Sequence, residues 1–181
     1  MQFPLHSVFL ALPLEGQAKW QFQAYQEALK PFADILAFQN PASPHLTLQF
    51  WPSVMEIEYP SIMEQAKKAA EAHVPFDVLI RGAGTFGSRG EDKVLFFTVP
   101  FSEPLARLRK SCPWPLDKPF SPHVTIARIR HPQRFNVVKK KVMKELATAS
   151  FTTHVDTLRL YAEVNGNKQT PIQDFTLPPN V

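Results

Sequence analysis

Short apolar segments alternate with longer amphipathic segments along most of the chain. Apolar runs, or runs in which every second residue is apolar, are typical of β-strands, whereas wider apolar spacing among good helix formers is typical of α-helices. The pattern predicts strands at residues 8–12, 45–50, 76–80, 94–99, 123–129 and 169–177, and a long strand within residues 151–164. It predicts helices at residues 17–30, 61–73, 103–111 and 136–147. This order of elements predicts an α+β fold.

The order of elements repeats after about half of the chain. Residues 43–48 read Ser-Pro-His-Leu-Thr-Leu, and residues 121–126 read Ser-Pro-His-Val-Thr-Ile. Residues 9–13, Phe-Leu-Ala-Leu-Pro, match residues 96–100, Phe-Phe-Thr-Val-Pro, in the same way. Similarity at such a spacing indicates an internal repeat. We therefore expect one bilobed domain over residues 1–181, with pseudo-repeats at about 1–90 and 91–181. A pseudo-twofold axis would bring both His-x-Thr strands to one central cleft.

The two His-x-Thr motifs place polar side chains on one face of each strand. Side chains alternate across a strand, so residues two apart share a face. His45 and Thr47 therefore point one way, and His123 and Thr125 form the matching pair. On the opposite face we expect five apolar side chains packed into the core: Leu46, Leu48, Phe50, Val124 and Ile126.

Two imidazoles and two hydroxyls on rigid strands suit the cleavage of a phosphodiester. Imidazole has an ordinary pKa near 6.5, so one histidine can accept a proton while the other donates one. Each threonine hydroxyl can donate a hydrogen bond to a phosphate oxygen and stabilise charge in the transition state. His45, His123, Thr47 and Thr125 are therefore the predicted catalytic and phosphate-binding residues. This chemistry requires neither a metal ion nor a cofactor.

Two other interpretations of the reactive side chains, a zinc site and a cysteine nucleophile, have less support in the sequence. Paired histidines also bind zinc, but the remaining histidines share no ligand-like spacing with the pair: His6, His73, His131 and His154. The single cysteine, Cys112, cannot form an intramolecular disulfide and has no nucleophile signature around it. We interpret it as an inert thiol in a reducing compartment.

Charge and targeting signals indicate which classes of binding partner and which compartment to expect. The formal net charge is +4 and the sequence pI is about 9.3, which is compatible with a polyanionic partner such as RNA. The N-terminus lacks a signal peptide, and no apolar run reaches the length of a membrane span. We expect a cytoplasmic monomer without a membrane partner.

The motifs resemble those of a known superfamily. His45-Leu46-Thr47-Leu48 and residues 123–126 resemble the two signatures of the two-histidine (2H) phosphoesterases. Within that superfamily the chain is most similar to the RNA 2′,3′-cyclic phosphodiesterases, also called 2′-5′ RNA ligases. Residues 118–128, Lys-Pro-Phe-Ser-Pro-His-Val-Thr-Ile-Ala-Arg, carry the best match. Residues 9–13 resemble the first strand of the family, and residues 82–87, Gly-Ala-Gly-Thr-Phe-Gly, resemble its central turn.

The resemblance implies a bilobed α+β fold with antiparallel sheets around a central cleft and helices on the outer faces. It implies metal-independent hydrolysis of RNA 2′,3′-cyclic phosphate ends to 2′-phosphomonoesters. If the roles of the family's motif residues are carried over to this chain, His45 protonates the leaving 3′ oxygen and His123 activates water, while Thr47 and Thr125 hold the phosphate. Arg128 matches a phosphate ligand, but simple alternation places it on the core face, so a bulge or the strand end must free it.

Aromatic residues near the motifs are candidates for stacking on a base, since aromatic faces bind unstacked bases. These candidates are Phe86, Trp51 and Phe120. The family continues its first motif with Phe-Leu-Gly, whereas Phe50 is followed here by Trp51 and Pro52. We expect this change to alter the rim of the cleft and the choice of substrate.

Three functions are compatible with the sequence. The first is a cyclic phosphodiesterase of RNA ends, with reverse ligation of 2′-5′ bonds. The second is a related phosphodiesterase acting on a small cyclic phosphate or 2′-5′ oligoadenylate. The third is a non-catalytic RNA-binding module, which the two intact motifs disfavour.

Overall fold

The computed structural model describes residues 2–179, within which it contains ten strands and four α-helices. The strands are β1 Leu5–Pro13, β2 Leu36–Phe38, β3 His45–Val54, β4 Phe76–Arg81, β5 Ala83–Ser88, β6 Glu91–Thr98, β7 His123–Ile129, β8 Ser150–Val155, β9 Thr157–Val164 and β10 Asn167–Thr176. The helices are α1 Gly16–Ala28, α2 Tyr59–Glu71, α3 Glu103–Ser111 and α4 Pro132–Leu146, and a short 3₁₀ helix spans Lys30–Phe32. The predicted α+β class with antiparallel sheets is confirmed.

The two His-x-Thr strands are neighbours in the middle of the large sheet. That sheet has the order β10-β9-β1-β3-β7-β6-β5, and β2 also pairs with β7. Strands β3 and β7 run antiparallel, with Leu46 opposite Val124. Strands β4 and β8 form a separate two-stranded sheet. The duplication into two pseudo-repeats stays a prediction.

The apolar face of the central strands forms the core. Leu46, Leu48, Val124 and Ile126 are buried, as the alternation predicts. They belong to one cluster with Phe22 of α1 and with Leu105 and Leu108 of α3. The helices thus cover the face of β3 and β7 that points away from the histidines.

The segment at residues 151–164, predicted to contain a long strand, is divided between two strands. The segment forms β8, which pairs with β4, and β9, which pairs with β1, and the two belong to different sheets. The buried positions change phase at the break: Val155 is buried, Asp156 is exposed, and the next buried residue is Leu158. Because a strand keeps a period of two, this slip of one residue marks the end of one strand and the start of another.

Among residues 2–179, no helix is both long and apolar enough to cross a membrane.

Candidate active site

Both histidine rings are oriented by the same local hydrogen bond. Nδ1 of His45 lies 2.7 Å from the carbonyl oxygen of Ser43, and Nδ1 of His123 lies 2.8 Å from that of Ser121. A carbonyl oxygen only accepts, so each Nδ1–H donates. Each Nε2 is therefore the nitrogen that can exchange a proton with a substrate. The Ser-Pro-His sequence common to both motifs thus gives both rings one tautomer and one orientation.

Aromatic side chains pack against both rings, but in different ways. The ring of His45 stacks on Phe9 at a centroid distance of 4.6 Å, and Phe9 stacks on the buried Tyr161 at 4.8 Å. The ring of His123 meets Phe86 edge-on at 4.8 Å and Phe96 at 5.3 Å. These contacts restrict both rings and cover much of the apolar surface around them.

The electrostatic environment disfavours protonation of His45. Burial lowers the pKa of His45 below its ordinary value of 6.5. The hydrogen bond to Ser43 acts in the opposite direction, and the charge of His123 lowers the pKa of His45 further. The site therefore favours a neutral His45 near pH 6.5.

A cleft of about 330 Å³ contains most of the predicted polar residues. Its wall includes His45 and Thr47 from β3 and Thr125 and Arg128 from β7. His123 is not among the residues that line this cleft; it lies two positions before Thr125 and on the same face of β7. The structure thus brings the two motifs together across the β3–β7 junction.

A β-bulge in β3 reverses the alternation after Leu48. Leu10 pairs with Gln49, whereas the next residue, Ala11, pairs with Thr47, so Leu48 is an extra residue. Gln49 consequently turns into the protein and is 8% exposed. Phe50 turns out into the cleft and is 51% exposed. The expectation that Phe50 belongs to the core is therefore wrong.

A matching bulge in β7 frees Arg128. Leu95 pairs with Ala127 and Phe96 pairs with Thr125, so Ile126 is the extra residue. Ala127 is fully buried, whereas Arg128 is exposed and lines the cleft. This is the bulge that the sequence required if Arg128 were to reach a phosphate. Phe50 occupies the corresponding position in the other motif.

Each bulge is supported by a buried polar side chain from a helix. Nε2 of Gln26 on α1 donates to the carbonyl oxygens of Ile126 at 3.0 Å and Gln39 at 2.9 Å. Arg109 on α3 donates to the side-chain oxygen of Gln49 at 3.3 Å. It also donates to two backbone carbonyls, those of Cys112 and Trp114. The sequence pattern carries no signal for either support, because both are polar residues that become buried only through distant contacts.

Of the three aromatic candidates, Phe86 contacts a predicted catalytic residue, His123, and is 37% exposed. Trp51 is misplaced by the sequence prediction: it packs edge-to-face on Trp114 at 4.9 Å and against the core. The bulge explains this, because it points Phe50 into the cleft and Trp51 away from it.

Phe120 is not in the cleft wall either; it lines a separate groove beside Leu116. It belongs to the loop before β7, where its ring packs partly on the core.

Several residues of the cleft wall were not predicted. Besides Phe50 they are Ser7, Phe9, Gln39, Lys168 and Gln169. Lys168 and Gln169 belong to the hairpin between β9 and β10, whose turn residues Asn165 and Gly166 both have positive φ. An Asn-Gly pair between two strands is a strong hairpin signal, so this turn could have been found in the sequence. Its position over the cleft could not.

Cys112 has no place in the cleft wall. It is buried, and burial raises the pKa of its thiol. A thiol with a raised pKa stays protonated at neutral pH, which fits its interpretation as inert.

The sequence and the fold both match known proteins. The family model of the 2′-5′ RNA ligase superfamily matches residues 17–167. An RNA 2′,3′-cyclic phosphodiesterase of Methanothermobacter thermautotrophicus is 26% identical over 132 residues, covering 69% of this chain and 72% of the relative. One from Geobacillus stearothermophilus is 28% identical over 128 residues, covering 66% of this chain and 41% of the relative.

A solved structure, TT0787 of Thermus thermophilus, superposes with a TM-score of 0.77 at 24% identity, covering 97% of this chain and all of the other. Escherichia coli LigT in its apo form gives a TM-score of 0.71 at 16% identity, covering 96% of this chain and 98% of LigT. These likenesses show the shared fold. With the family match over most of the chain, they confirm the resemblance first read from the two histidine motifs: the chain belongs to the 2′-5′ RNA ligase superfamily, the 2H phosphoesterases.

Proposed function

We propose that this chain is a phosphodiesterase that hydrolyses RNA 2′,3′-cyclic phosphate ends to 2′-phosphomonoesters, with His45 and His123 as the acid–base pair. The observation that carries the proposal is the matched hydrogen bonding of the two rings, which commits each Nδ1 to a carbonyl and leaves each Nε2 for proton transfer. Relatives named RNA 2′,3′-cyclic phosphodiesterases support the substrate class.

The proposed reaction is an in-line displacement at phosphorus. Nε2 of His123 accepts a proton from water as the water oxygen bonds to phosphorus, and Nε2 of His45 donates a proton to the 3′ oxygen as its bond to phosphorus breaks. The product carries a phosphate on the 2′ oxygen. Thr47 and Thr125 donate hydrogen bonds to the non-bridging oxygens, and Arg128 adds a charge-assisted contact.

The donor role of His45 depends on the substrate. Burial lowers the pKa of His45, whereas a neighbouring phosphate anion favours the protonated ring. Binding of the cyclic phosphate therefore raises the pKa of His45 and brings the proton that the leaving oxygen receives. We assign donor and acceptor on the resemblance to the family, and the pH dependence described below tests that assignment.

The same groups explain ligation. A 5′-hydroxyl of a second RNA, in place of water, gives its proton to His123 and bonds to phosphorus as the 3′ oxygen leaves. The product is then a 2′-5′ phosphodiester. The basic pI of about 9.3 supports an RNA partner, and the exposed rings of Phe50 and Phe86 are the surfaces offered to its bases. We propose that the protein acts as a monomer in RNA processing in the cytoplasm.

The test is turnover of a short RNA that ends in a 2′,3′-cyclic phosphate, measured in excess chelator. Wild type should form a 2′-phosphate end. His45→Ala and His123→Ala should each lose about 10²- to 10⁴-fold in kcat, the usual contribution of a general acid or base. Thr47→Val and Thr125→Val should each retain measurable turnover at a lower rate. His154→Ala is the matched control, because that exposed histidine pairs with Asp77 and not with the cleft.

Each other outcome has a defined meaning. A 3′-phosphate product would overturn the assignment of the leaving oxygen. Turnover that appears only when a divalent ion is restored would overturn the metal-independent mechanism. Turnover of mononucleotide cyclic phosphates without turnover of RNA would move the function to a small-molecule phosphodiesterase. RNA binding without any turnover would leave a non-catalytic RNA-binding module.

A further inference from the structure

Lys168 is a cation in the cleft that the proposed chemistry does not use. It lies in the wall of the same cleft as His45, Thr47 and Arg128. The reacting phosphate already has its ligands in the two histidines, the two threonines and Arg128. Lys168 is exposed, and among residues 2–179 it makes neither an ion pair nor a side-chain hydrogen bond. Its charge is therefore available to a ligand.

The charge balance of the cleft favours a second anion. The wall residues among those described include two permanent cations, Arg128 and Lys168, and no carboxylate. A cyclic phosphate diester carries a single negative charge, so one cation compensates it. Arg128 reaches the cleft from β7, whereas Lys168 reaches it from β10, at the far end of the path β10-β9-β1-β3-β7. The two cations therefore approach the cleft from different sides.

The hairpin that carries Lys168 is attached to the support of His45. The hydroxyl of Ser43 donates to the side-chain oxygen of Gln169 at 3.2 Å, and the carbonyl of Ser43 holds the ring of His45. Gln169 has φ of 61°, and the β9–β10 register shifts between Asn167 and Thr170. This irregularity sets the direction of Lys168 and Gln169 at the cleft. Lys168 is thus placed on the side of the site where His45 acts.

We propose that Lys168 binds the phosphodiester immediately upstream of the terminal nucleotide, which makes the cleft selective for RNA ends over mononucleotides. The inference rests on the proposed function, because the 3′ oxygen that His45 protonates puts the terminal ribose on the His45 side. The 5′ oxygen of that ribose carries the next phosphodiester of the RNA. Among the cations of the cleft wall, Lys168 is the one whose hairpin is attached to the support of His45, and its ammonium can pair with this second negative charge.

The experiment compares three substrates that differ in the upstream phosphate. A nucleoside 2′,3′-cyclic phosphate has none, a 5′-phosphorylated nucleoside 2′,3′-cyclic phosphate has a monoester, and a dinucleotide that ends in a cyclic phosphate has the diester. Wild type should show lower KM for the last two. Lys168→Ala should raise KM for those two by about fivefold, the upper range for an exposed ion pair, and leave the first substrate unchanged. The kcat at saturation should stay near that of wild type.

Two variants serve as controls. Lys168→Arg keeps the charge and should retain most of the discrimination. Lys140→Ala removes the same charge from an exposed position on α4, outside the cleft wall, and should change none of the three KM values. For the dinucleotide, KM should rise less steeply with salt in Lys168→Ala than in wild type, because the ion pair that salt screens is absent from the variant.

The outcomes separate this proposal from the proposed function. Equal losses on all three substrates would show that Lys168 acts on the reacting phosphate, and the upstream subsite would be overturned. The same rise in KM in Lys140→Ala would show that the effect comes from the net charge of the protein, and it would also overturn the upstream subsite. No change in Lys168→Ala would remove the subsite while leaving the hydrolysis intact. Failure of wild type on all three substrates would instead refute the proposed function.

Discussion

Gln26 and Ile126 are 100 positions apart, and the side-chain amide of Gln26 donates to the carbonyl oxygen of Ile126 at 3.0 Å. Ile126 is the extra residue of the β7 bulge, and that bulge turns Arg128 into the cleft. Arg109 makes the equivalent contact from α3 to Gln49, beside the β3 bulge. Each bulge of the candidate site is therefore held by a helix from the opposite half of the chain.

Loss of the Gln26 amide should affect both stability and substrate binding. Gln26→Glu keeps the shape of the side chain but removes the two N–H donors, so the carbonyls of Ile126 and Gln39 lose their partner. We expect a loss of about 1–3 kcal/mol in the free energy of unfolding in urea, the cost of buried groups left unpaired. We also expect a higher KM, because the backbone that positions Arg128 is released. Gln23→Glu is the control, since its amide bonds the exposed carbonyl of Pro41. Equal effects of the two substitutions would contradict the supporting role of Gln26.

The Arg109 support predicts a similar loss on the other side of the sheet. Arg109→Met keeps most of the apolar stem and removes the donors to Gln49, Cys112 and Trp114. We expect unfolding to be easier by about 2 kcal/mol or more, because charged hydrogen bonds to buried acceptors are lost. Arg107→Met should have little effect, since its exposed pair with Glu103 at 3.9 Å is worth little. A stable Arg109→Met with unchanged KM would show that the β3 bulge forms without this contact.

Arg128 on β7 and Arg130, one residue beyond the end of that strand, provide a matched pair of cations. Arg128 lies in the cleft wall, whereas Arg130 is exposed at the end of β7 and outside that wall. Arg128→Ala should raise KM for a cyclic phosphate about tenfold or more, since a charge-assisted hydrogen bond to the phosphate is lost. Arg128→Lys should recover only part of the loss because lysine lacks the planar fork of donors. Steady-state kinetics of Arg130→Ala should match those of wild type. If KM rises as much in Arg130→Ala as in Arg128→Ala, the rise reflects the net charge of the protein and not a contact between Arg128 and the phosphate.

Gly84 leaves room for the aromatic pair beside His123. A Cβ at position 84 would lie 3.0 Å from the ring of Phe96, which stacks on Phe86 at 4.0 Å. Gly84→Ala should therefore push this stack against His123 and lower kcat/KM. The expected loss in the free energy of unfolding is about 1–3 kcal/mol, as for other overpacked sites.

Gly90→Ala separates the effect on stability from the effect on activity. Gly90 has φ of 77° and open space around its Cα, so the substitution costs backbone strain without touching the aromatic pair. We expect a stability loss of about 1–2 kcal/mol and unchanged kcat/KM. If the two glycine variants lose activity in proportion to their stability, the packing of Phe96 has no separate role in the site.

The lowered pKa of His45 predicts a stability change in mild acid. The unfolded chain takes up a proton on this histidine near pH 6.5, whereas the folded protein resists the proton until a lower pH. The unfolded state therefore binds more protons in that window, and the free energy of unfolding falls as the pH drops below 6.5. The loss ends below the pKa of the folded state. Urea unfolding from pH 7.5 to 5 should show this decrease in wild type and less of it in His45→Gln.

Inorganic sulfate, an anion that has no titration of its own near pH 6.5, should reverse that proton balance. An anion in the cleft raises the pKa of His45, so sulfate binding should take up protons near pH 6.5. Isothermal titration in two buffers of different ionisation enthalpy measures the uptake directly. The uptake should shrink in His45→Gln, and proton release on binding would contradict the proposed protonation of His45 by the bound substrate.

The sequence by itself determined what depends on neighbours along the chain. The period of two in residues 45–48 and 123–126 predicted which side chains enter the core and which face the cleft, and the structure agrees for Leu46, Leu48, Val124 and Ile126. The repeated Ser-Pro-His-x-Thr predicted that two histidines share one site. It also contains the residue whose carbonyl orients each ring, two positions before the histidine.

The tertiary structure decided whatever depends on strands and helices far apart in the chain. A bulge arises from the register between two strands, so alternation read along one strand misplaced Phe50 and required an additional feature to free Arg128. Gln26, Arg109 and Lys168 gained their roles because an α-helix or a hairpin brings them to β3, β7 or the cleft. A polar side chain has no periodicity of its own, and its burial or its place in a site follows from the packing of elements that the local sequence does not encode.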